Sequence, residues 1–230
     1  MIYVYCGRNS EAADALVATL GRAGSRLRNL ANIRAESGVV VNWGTTTQAW
    51  PRGFTIVNPR VLGNKRLELT RFQQHRVPTL TVSDTYREGW FGRHLMHEDG
   101  NDLGADPHNA DYWTQPLDII DEFRVHSFQG TSLGVLKKTP RPGIRAHPTI
   151  RSYSHGWTFG YRFDRTLIPP DLRETAHRAV AALGYDFGAV DIGTVRGGGL
   201  AVFEVNSAPG IEGDELDAYA EALKTLHSGG

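Results

Sequence analysis

Sulfur is scarce in this 230-residue chain, which has one cysteine, Cys6, and two methionines. A lone cysteine excludes an intramolecular disulfide, and that fits a reducing compartment. Net charge is missing as well. Twenty-five Lys and Arg balance twenty-five Asp and Glu, so no overall field draws the protein to nucleic acid or to a membrane surface. No apolar run approaches the roughly 20 residues of a membrane span, and the opening Met1-Ile2-Tyr3-Val4-Tyr5 has neither the basic start nor the apolar core of a secretory signal. The expectation is a cytoplasmic protein with no nucleic-acid or membrane partner. Internal repeats and low-complexity tracts are absent. So are the glycine spacing of a dinucleotide loop at Gly7-Arg8-Asn9 and any recognisable Ser-His-Asp or Cys-His arrangement. Chemistry through a covalent enzyme intermediate therefore has no readable nucleophile; chemistry built on positioning and charge cancellation needs none. The length suits one large or two small domains with a sizeable core.

What is present concentrates between Gly184 and Ile211. Two apolar runs, Phe187 to Ile192 and Leu200 to Val205, are joined by Gly197 to Gly199, which predicts a hairpin. A period of two places Ala201, Phe203 and Val205 on one face of the second strand and Val202, Glu204 and Asn206 on the other. If Asp191 on the partner strand shares the face of Glu204 and Asn206, three hard oxygen donors converge, which suits Mg²⁺ held together with substrate phosphates. An acid in an apolar strand needs a partner. Spacing alone admits two, a metal ion or an arginine on a solvated sheet face.

The remaining elements read more plainly. Ile2 to Cys6 is a strand, Ser10 caps a helix to about Arg22, and Gly38 to Gly44 and Phe54 to Val57 follow as strands in a small βαβ scaffold. Asn64-Lys65 opens a helix, and a lone lysine there reads as a solvated surface charge. From Glu122, Phe123, Val125 and Ser127 alternate with Arg124, His126 and Phe128, a strand with one charged face. Thr131 to Lys138 continues that sheet. A helix from Pro170-Asp171, stopped by Gly184, is expected to pack behind the hairpin, and another runs from Gly213 with Leu216, Tyr219, Ala220 and Leu223 inward. His94, His97 and His108 permit a zinc reading by type but lack cysteine company; surface histidines are the competing reading.

Asp191-Ile192-Gly193, followed by Phe203-Glu204-Val205-Asn206-Ser207-Ala208-Pro209-Gly210, resembles the metal signature of ATP-grasp ligases, especially the RimK and glutathione-synthetase-like branch. The resemblance implies an α+β (α/β) ATP-grasp fold with nucleotide bound between two sheet-containing subdomains. It divides the chain into a short pre-grasp domain over 1–60, a central subdomain over 61–118 and a C-terminal subdomain over 119–230. It implies ATP and two Mg²⁺ ions, Mn²⁺ being a possible substitute, on Asp191 and Glu204, with Glu204 bridging and Asn206 serving the second ion. Val41-Asn42-Trp43-Gly44 resembles a turn of the pre-grasp domain of some RimK-like ligases. By the same resemblance Lys65 approaches the phosphates, and Arg93 takes the basic position before a phosphate-covering loop over 93–104. That loop departs from the pattern by carrying His94 and His97 where small residues are usual. Backbone groups from Gln115 to Leu117 would meet the adenine edge and Asp118 the ribose. Arg124 would line the substrate side. Ile150-Arg151-Ser152 is similar to a segment whose arginine neutralises the transferred phosphate. The implied reaction is ATP-dependent ligation of a small-molecule or peptide carboxylate to an amine through an acylphosphate. A small-molecule kinase that stops after phosphorylation and a non-catalytic nucleotide-binding module are the alternatives. No readable motif specifies the acid, the amine or the oligomeric state.

Overall fold

The computed structural model describes residues 1–46, 49–95, 109–148 and 150–228. It opens with β1 (Ile2–Tyr5) and α1 (Glu11–Leu20), whose N-cap Ser10 accepts a hydrogen bond from the Ala13 amide at 3.2 Å. The helix stops before Arg22 because Gly21 turns the chain at φ +60°. The return strand β2 (Gly24–Leu27) pairs parallel with β1. Its Gly-Ser-Arg start carries no strand signal, and Arg26 secures it by donating to the carbonyls of Val4, Cys6 and Leu27. With β3 (Gly38–Asn42) and β4 (Phe54–Val57) it forms a parallel sheet in the order β2-β1-β3-β4.

Next come α2 (Lys65–Gln74), capped by the Asn64 side chain accepting from the Leu67 amide, and three short strands, β5 (Val82–Ser83), β6 (Phe91–Arg93) and β7 (Tyr112–Thr114). These strands make an antiparallel sheet in the order β5-β7-β6. A larger antiparallel sheet, ordered β10-β9-β8-β11-β12, is built from β8 (Ile119–Phe128), β9 (Thr131–Pro140), β10 (Trp157–Gly160), β11 (Phe187–Val195) and β12 (Leu200–Asn206).

One face of the large sheet is covered by α3 (Leu172–Leu183). Leu172, Ala176, Ala179 and Val180 close over Phe123, Val125, Val190 and Ile192 in the main core. The helix ends at Gly184 in the left-handed region, as the glycine there predicts. A second core joins α1, the parallel sheet, Phe128, Phe187 and α4 (Gly213–Ser228), into which Tyr219, Ala220 and Leu223 are buried. No helix among the described residues is long and apolar enough to cross a membrane.

The β11–β12 register departs from simple alternation. Asp191 pairs with Glu204 but Ile192 pairs with Val202, so Phe203 is left over as a bulge. As a result Val202 and Val205 both enter the core, while Phe203 and Glu204 both line the cleft on the opposite side. The expected grouping of Val202 with Glu204, and of Phe203 with Val205, is therefore corrected: an inserted residue resets the period of two.

Asn58 fastens the parallel sheet to the large one. It is fully buried at φ +55°, its Oδ1 accepts from the amides of Asp186 and Phe187 at 2.6 and 3.1 Å, and its Nδ2 donates to the Phe187 carbonyl at 3.0 Å. Asn42 donates to the Asn58 carbonyl at 2.9 Å, and Trp43 stacks on Phe187 with ring centroids 5.2 Å apart. Replacing Asn58 with alanine strands buried backbone groups and puts a side-chain-bearing residue that disfavours positive φ in that turn. Asn58→Ala is expected to cost roughly 2–4 kcal/mol in urea unfolding.

Candidate functional site

The face of the large sheet opposite α3 forms one wall of a cavity of about 990 Å³. Phe91, Arg93, Tyr112 and Thr114 of the small sheet line it too, as does the connector from Gln115 to Ile119. Because Phe123 and Val125 point into the core, Glu122, Arg124 and His126 of β8 share the cavity face.

Asp191 sits between Val190 and Ile192, both fully buried, and pairs in register with Arg124 on β8 and Glu204 on β12. Its carboxylate is held by both arms of Arg124, Nε to Oδ1 at 2.7 Å and Nη2 to Oδ2 at 2.8 Å. Burial alone would raise the Asp191 carboxyl; the guanidinium wins and holds it below the usual carboxylate range. Glu204 Oε2 accepts from Lys65 Nζ at 2.5 Å, with Lys65 at the start of α2. Both acids thus have a cation of this chain, but on a cleft wall that leaves Asp191 only 6% exposed, not on an open sheet face.

Around this pair the wall carries alternating charge. Lys138 Nζ donates to Glu122 Oε2 at 2.8 Å and lies 4.7 Å from the Phe159 ring centre, which also carries Arg124 at 4.2 Å. Burial pushes the Glu122 carboxyl up, against the pull of Lys138 and Arg151. Arg151 donates to the Ile119 and Ile120 carbonyls at 2.9 and 3.2 Å and faces Glu122 at 3.7 Å. Asp118 is paired with Arg196 at 2.6 Å, and the Gln115 amide donates to the Thr81 carbonyl at 3.0 Å.

Of the residues expected at the site, Lys65, Arg93, Gln115, Leu117, Asp118, Arg124, Arg151, Asp191 and Glu204 line this one cavity. Asn206 does not; its Oδ1 accepts from the Ala208 amide at 3.0 Å in the turn after β12. His94 faces Asp111 at 3.5 Å, while His97, Gly100, Gly104 and His108 lie outside the described residues. Phe203, placed by the bulge, and Lys138, placed by pairing with β8, also line the cavity, and Glu68, outside the lining, is buried near Glu204. Burial and then the neighbouring Glu204 push the Glu68 carboxyl up to about 8. Its spacing of three from Lys65 on α2 was the available signal.

His126, fully enclosed beside Tyr219, is driven down to about 4 by burial and then by Arg124. Its folded value lies below the unfolded one, so its contribution is complete above about pH 6.5 and is lost as pH falls toward 4. Stability should drop by roughly 3 kcal/mol over that window, and comparison of His126→Phe with the parent protein in pH-resolved urea titrations should show a flatter curve for the variant. For the buried ion pair, Arg124→Met alone is expected to cost roughly 3–5 kcal/mol, because it leaves Asp191 charged and unpaired. The double variant Arg124→Met, Asp191→Leu should regain most of that loss, and a double-mutant cycle by denaturation measures it.

No protein-family model and no curated protein matches this sequence. Solved structures do. The ATP-grasp ligase PsnB complexed with a minimal precursor aligns over 97% of this chain and 98% of its own, at 13% identity and a TM-score of 0.70. PsnB with minimal precursor, Mg and ADP aligns over 99% and 98%, at 11% identity and a TM-score of 0.66. The macrocyclase MdnC bound with precursor peptide MdnA, from Microcystis aeruginosa MRC, aligns over 98% and 100%, at 10% identity and a TM-score of 0.64. The mixed α/β architecture, matched end to end, gives this chain the fold of the ATP-grasp ligases.

Proposed function

We propose that the protein is an ATP-dependent ligase that joins a carboxylate to an amine through an acylphosphate. The observation that carries this reading is the placement of Asp191 and Glu204 side by side on a cleft wall that also presents Lys65, Arg93, Arg124, Lys138 and Arg151. A polyanion with its counter-ions is the ligand such a wall complements. The fold supports the reading, and the PsnB structure with Mg and ADP shows that this architecture accommodates both in that protein.

Among the described residues no three His, Cys, Asp or Glu side chains gather into a metal cage. Two neighbouring carboxylates fit Mg²⁺, which keeps waters and completes its shell with phosphate oxygens, better than zinc, which wants three or four nitrogen or sulfur ligands. Asp191 and Glu204 would hold two such ions, or Mn²⁺ in their place, and Asn206, outside the cavity lining, would have to turn inward to serve the second. Bound there, the metal supplies neutralisation of phosphate charge. The chain's own groups do the rest. Lys65 and Arg93 bind phosphates, the connector from Gln115 to Leu117 offers backbone groups to the adenine edge, and Asp118 meets the ribose. Arg151, anchored on two β8 carbonyls, offsets charge developing in phosphoryl transfer, and Arg124 orients the acid.

On this reading residues 1–60 form the pre-grasp domain, 61–118 the central subdomain and 119–230 the C-terminal one. The Asp-Ile-Gly and Glu-Val-Asn signature favours the RimK and glutathione-synthetase-like branch. The precursor peptides bound to PsnB and MdnC favour a peptide substrate, and the single cysteine favours a cytoplasmic setting.

Glu204→Ala is expected to abolish ADP release from Mg·ATP with unchanged far-UV circular dichroism; persistent turnover would overturn the proposal. Arg151→Ala should slow phosphoryl transfer by roughly 100-fold while shifting ATP affinity by less than about threefold, separated by single-turnover kinetics and calorimetry. A stable phosphorylated product made without any amine would replace ligase with kinase, and no heat of Mg·ATP binding would leave a non-catalytic module.

A further inference from the structure

The cavity is balanced in charge at one end only, where Asp118, Glu122, Asp191 and Glu204 each face a lysine or arginine. Its five cations lie on α2, β6, β8, β9 and the segment before β10, whereas the end between α1 and α4 presents Glu11, Glu212 and Glu215. No lysine or arginine of α1 or α4 lines it. The first of these ends suits phosphates. The second suits a cation.

Glu215 is the buried member of the acidic group. It lies in the first turn of α4, is 2% exposed, and its Oε2 has no hydrogen-bond partner among the described residues. Gly134 of β9 makes the space it occupies, since a Cβ built there would lie 2.5 Å from Glu215 Oε1. Gly134 pairs with His126, and Leu136 with Arg124. The carboxylate therefore sits one strand repeat, about 7 Å, along the sheet from the row holding Arg124 and Asp191. His126, kept neutral by its burial, supplies no positive charge to it. A buried carboxylate oxygen without a donor is costly unless a ligand completes it.

We propose that Glu215 binds the ammonium group of the amine substrate and takes its proton before attack, an inference that rests on the ligase reading above. The ammonium gives one proton to Glu215, and the freed nitrogen lone pair attacks the carbonyl carbon of the acylphosphate. A C–N bond forms, the C–O bond to phosphorus breaks, and its electron pair leaves with inorganic phosphate, which takes the second nitrogen proton. Glu215 then returns its proton to solvent. Burial raises this carboxyl to about 7, close to the pH at which a group can both accept and release a proton. Substrates of this site are primary alkylamines, such as a lysine side chain or a free amino terminus.

The test uses the full chain with Mg·ATP, a pool of amino acids and acidic peptides, and two nucleophiles. Hydroxylamine is uncharged at neutral pH and needs no deprotonation; n-butylamine is an ammonium and does. Glu215→Gln should lose amide formation with n-butylamine about 100-fold more than hydroxamate formation. Calorimetric affinity for n-butylammonium should fall at least roughly tenfold. Gly134→Ala, which fills the space of the same carboxylate without removing it, should reproduce the selective loss. The proposal is overturned if folded variants bind the amine as the parent does, or if amide and hydroxamate fall together; in either case the ligase reading survives. Absence of ADP and hydroxamate in the parent with every acid overturns the ligase reading and the proton transfer with it, and amine binding that still depends on Glu215 would identify that failure as distinct.

Discussion

A carboxylate in the middle of a buried strand has to be compensated, and in this protein the compensation of Asp191 by Arg124 fixes the relation of the two central strands. Both arms of the guanidinium engage both oxygens, which demands β8 and β11 as neighbours in one register. Once those strands are set, Val190 and Ile192 turn to the α3 side together with Phe123 and Val125. The sheet is thereby divided into an apolar face that folds and a charged face that faces a cavity. The large antiparallel sheet, covered by α3 on one face and on the other only where α4 meets β8 and β9, makes this division possible.

The bulge at Phe203 extends the same division to the edge strand. Strict alternation would have sent Val202 toward Glu204 and cost the core an aliphatic side chain; one additional residue lets Val202 and Val205 both stay inside. Phe203 then lies across Gly193, where a Cβ would stand only 2.6 Å from its ring. The absence of a side chain at Gly193 thus helps shape the cavity floor. Gly134 has the corresponding effect under Glu215. Two glycines in the middle of otherwise regular strands mark the places where another residue needs the space.

Charge within the cavity is arranged by pairing, not by excess. The chain is neutral overall, yet Lys65 with Glu204, Arg124 with Asp191 and Lys138 with Glu122 place alternating charges on one wall. Such pairs hold charged groups at a low-dielectric surface at tolerable desolvation cost, and they leave the cations available to a polyanion that brings its own metal. The clip formed by Asn58, Asn42 and Trp43 joins the parallel sheet to β11 from the other end. It positions α1 and α4 at the acidic end of the cavity.

Local sequence determined those features whose cause is local. The Ser10, Asn64 and Gly184 helix boundaries, the glycine-linked hairpin and the alternation of β8 were all legible, because a cap, a turn and a periodic pattern each act within a few residues. The acid in the apolar middle of β11 signalled a compensated site for the same reason. Tertiary structure alone decided the strand identity of β2, whose Gly-Ser-Arg start has little strand preference, and of β5, β7 and β10, which are too short for a period to show and become strands by pairing with neighbours. It also decided the bulge at Phe203, the choice of Arg124 for Asp191 and Lys65 for Glu204, and the burial of Glu68 and Glu215. Those outcomes depend on which strands and helices meet, and in what register, a non-local quantity that no short stretch of this chain encodes.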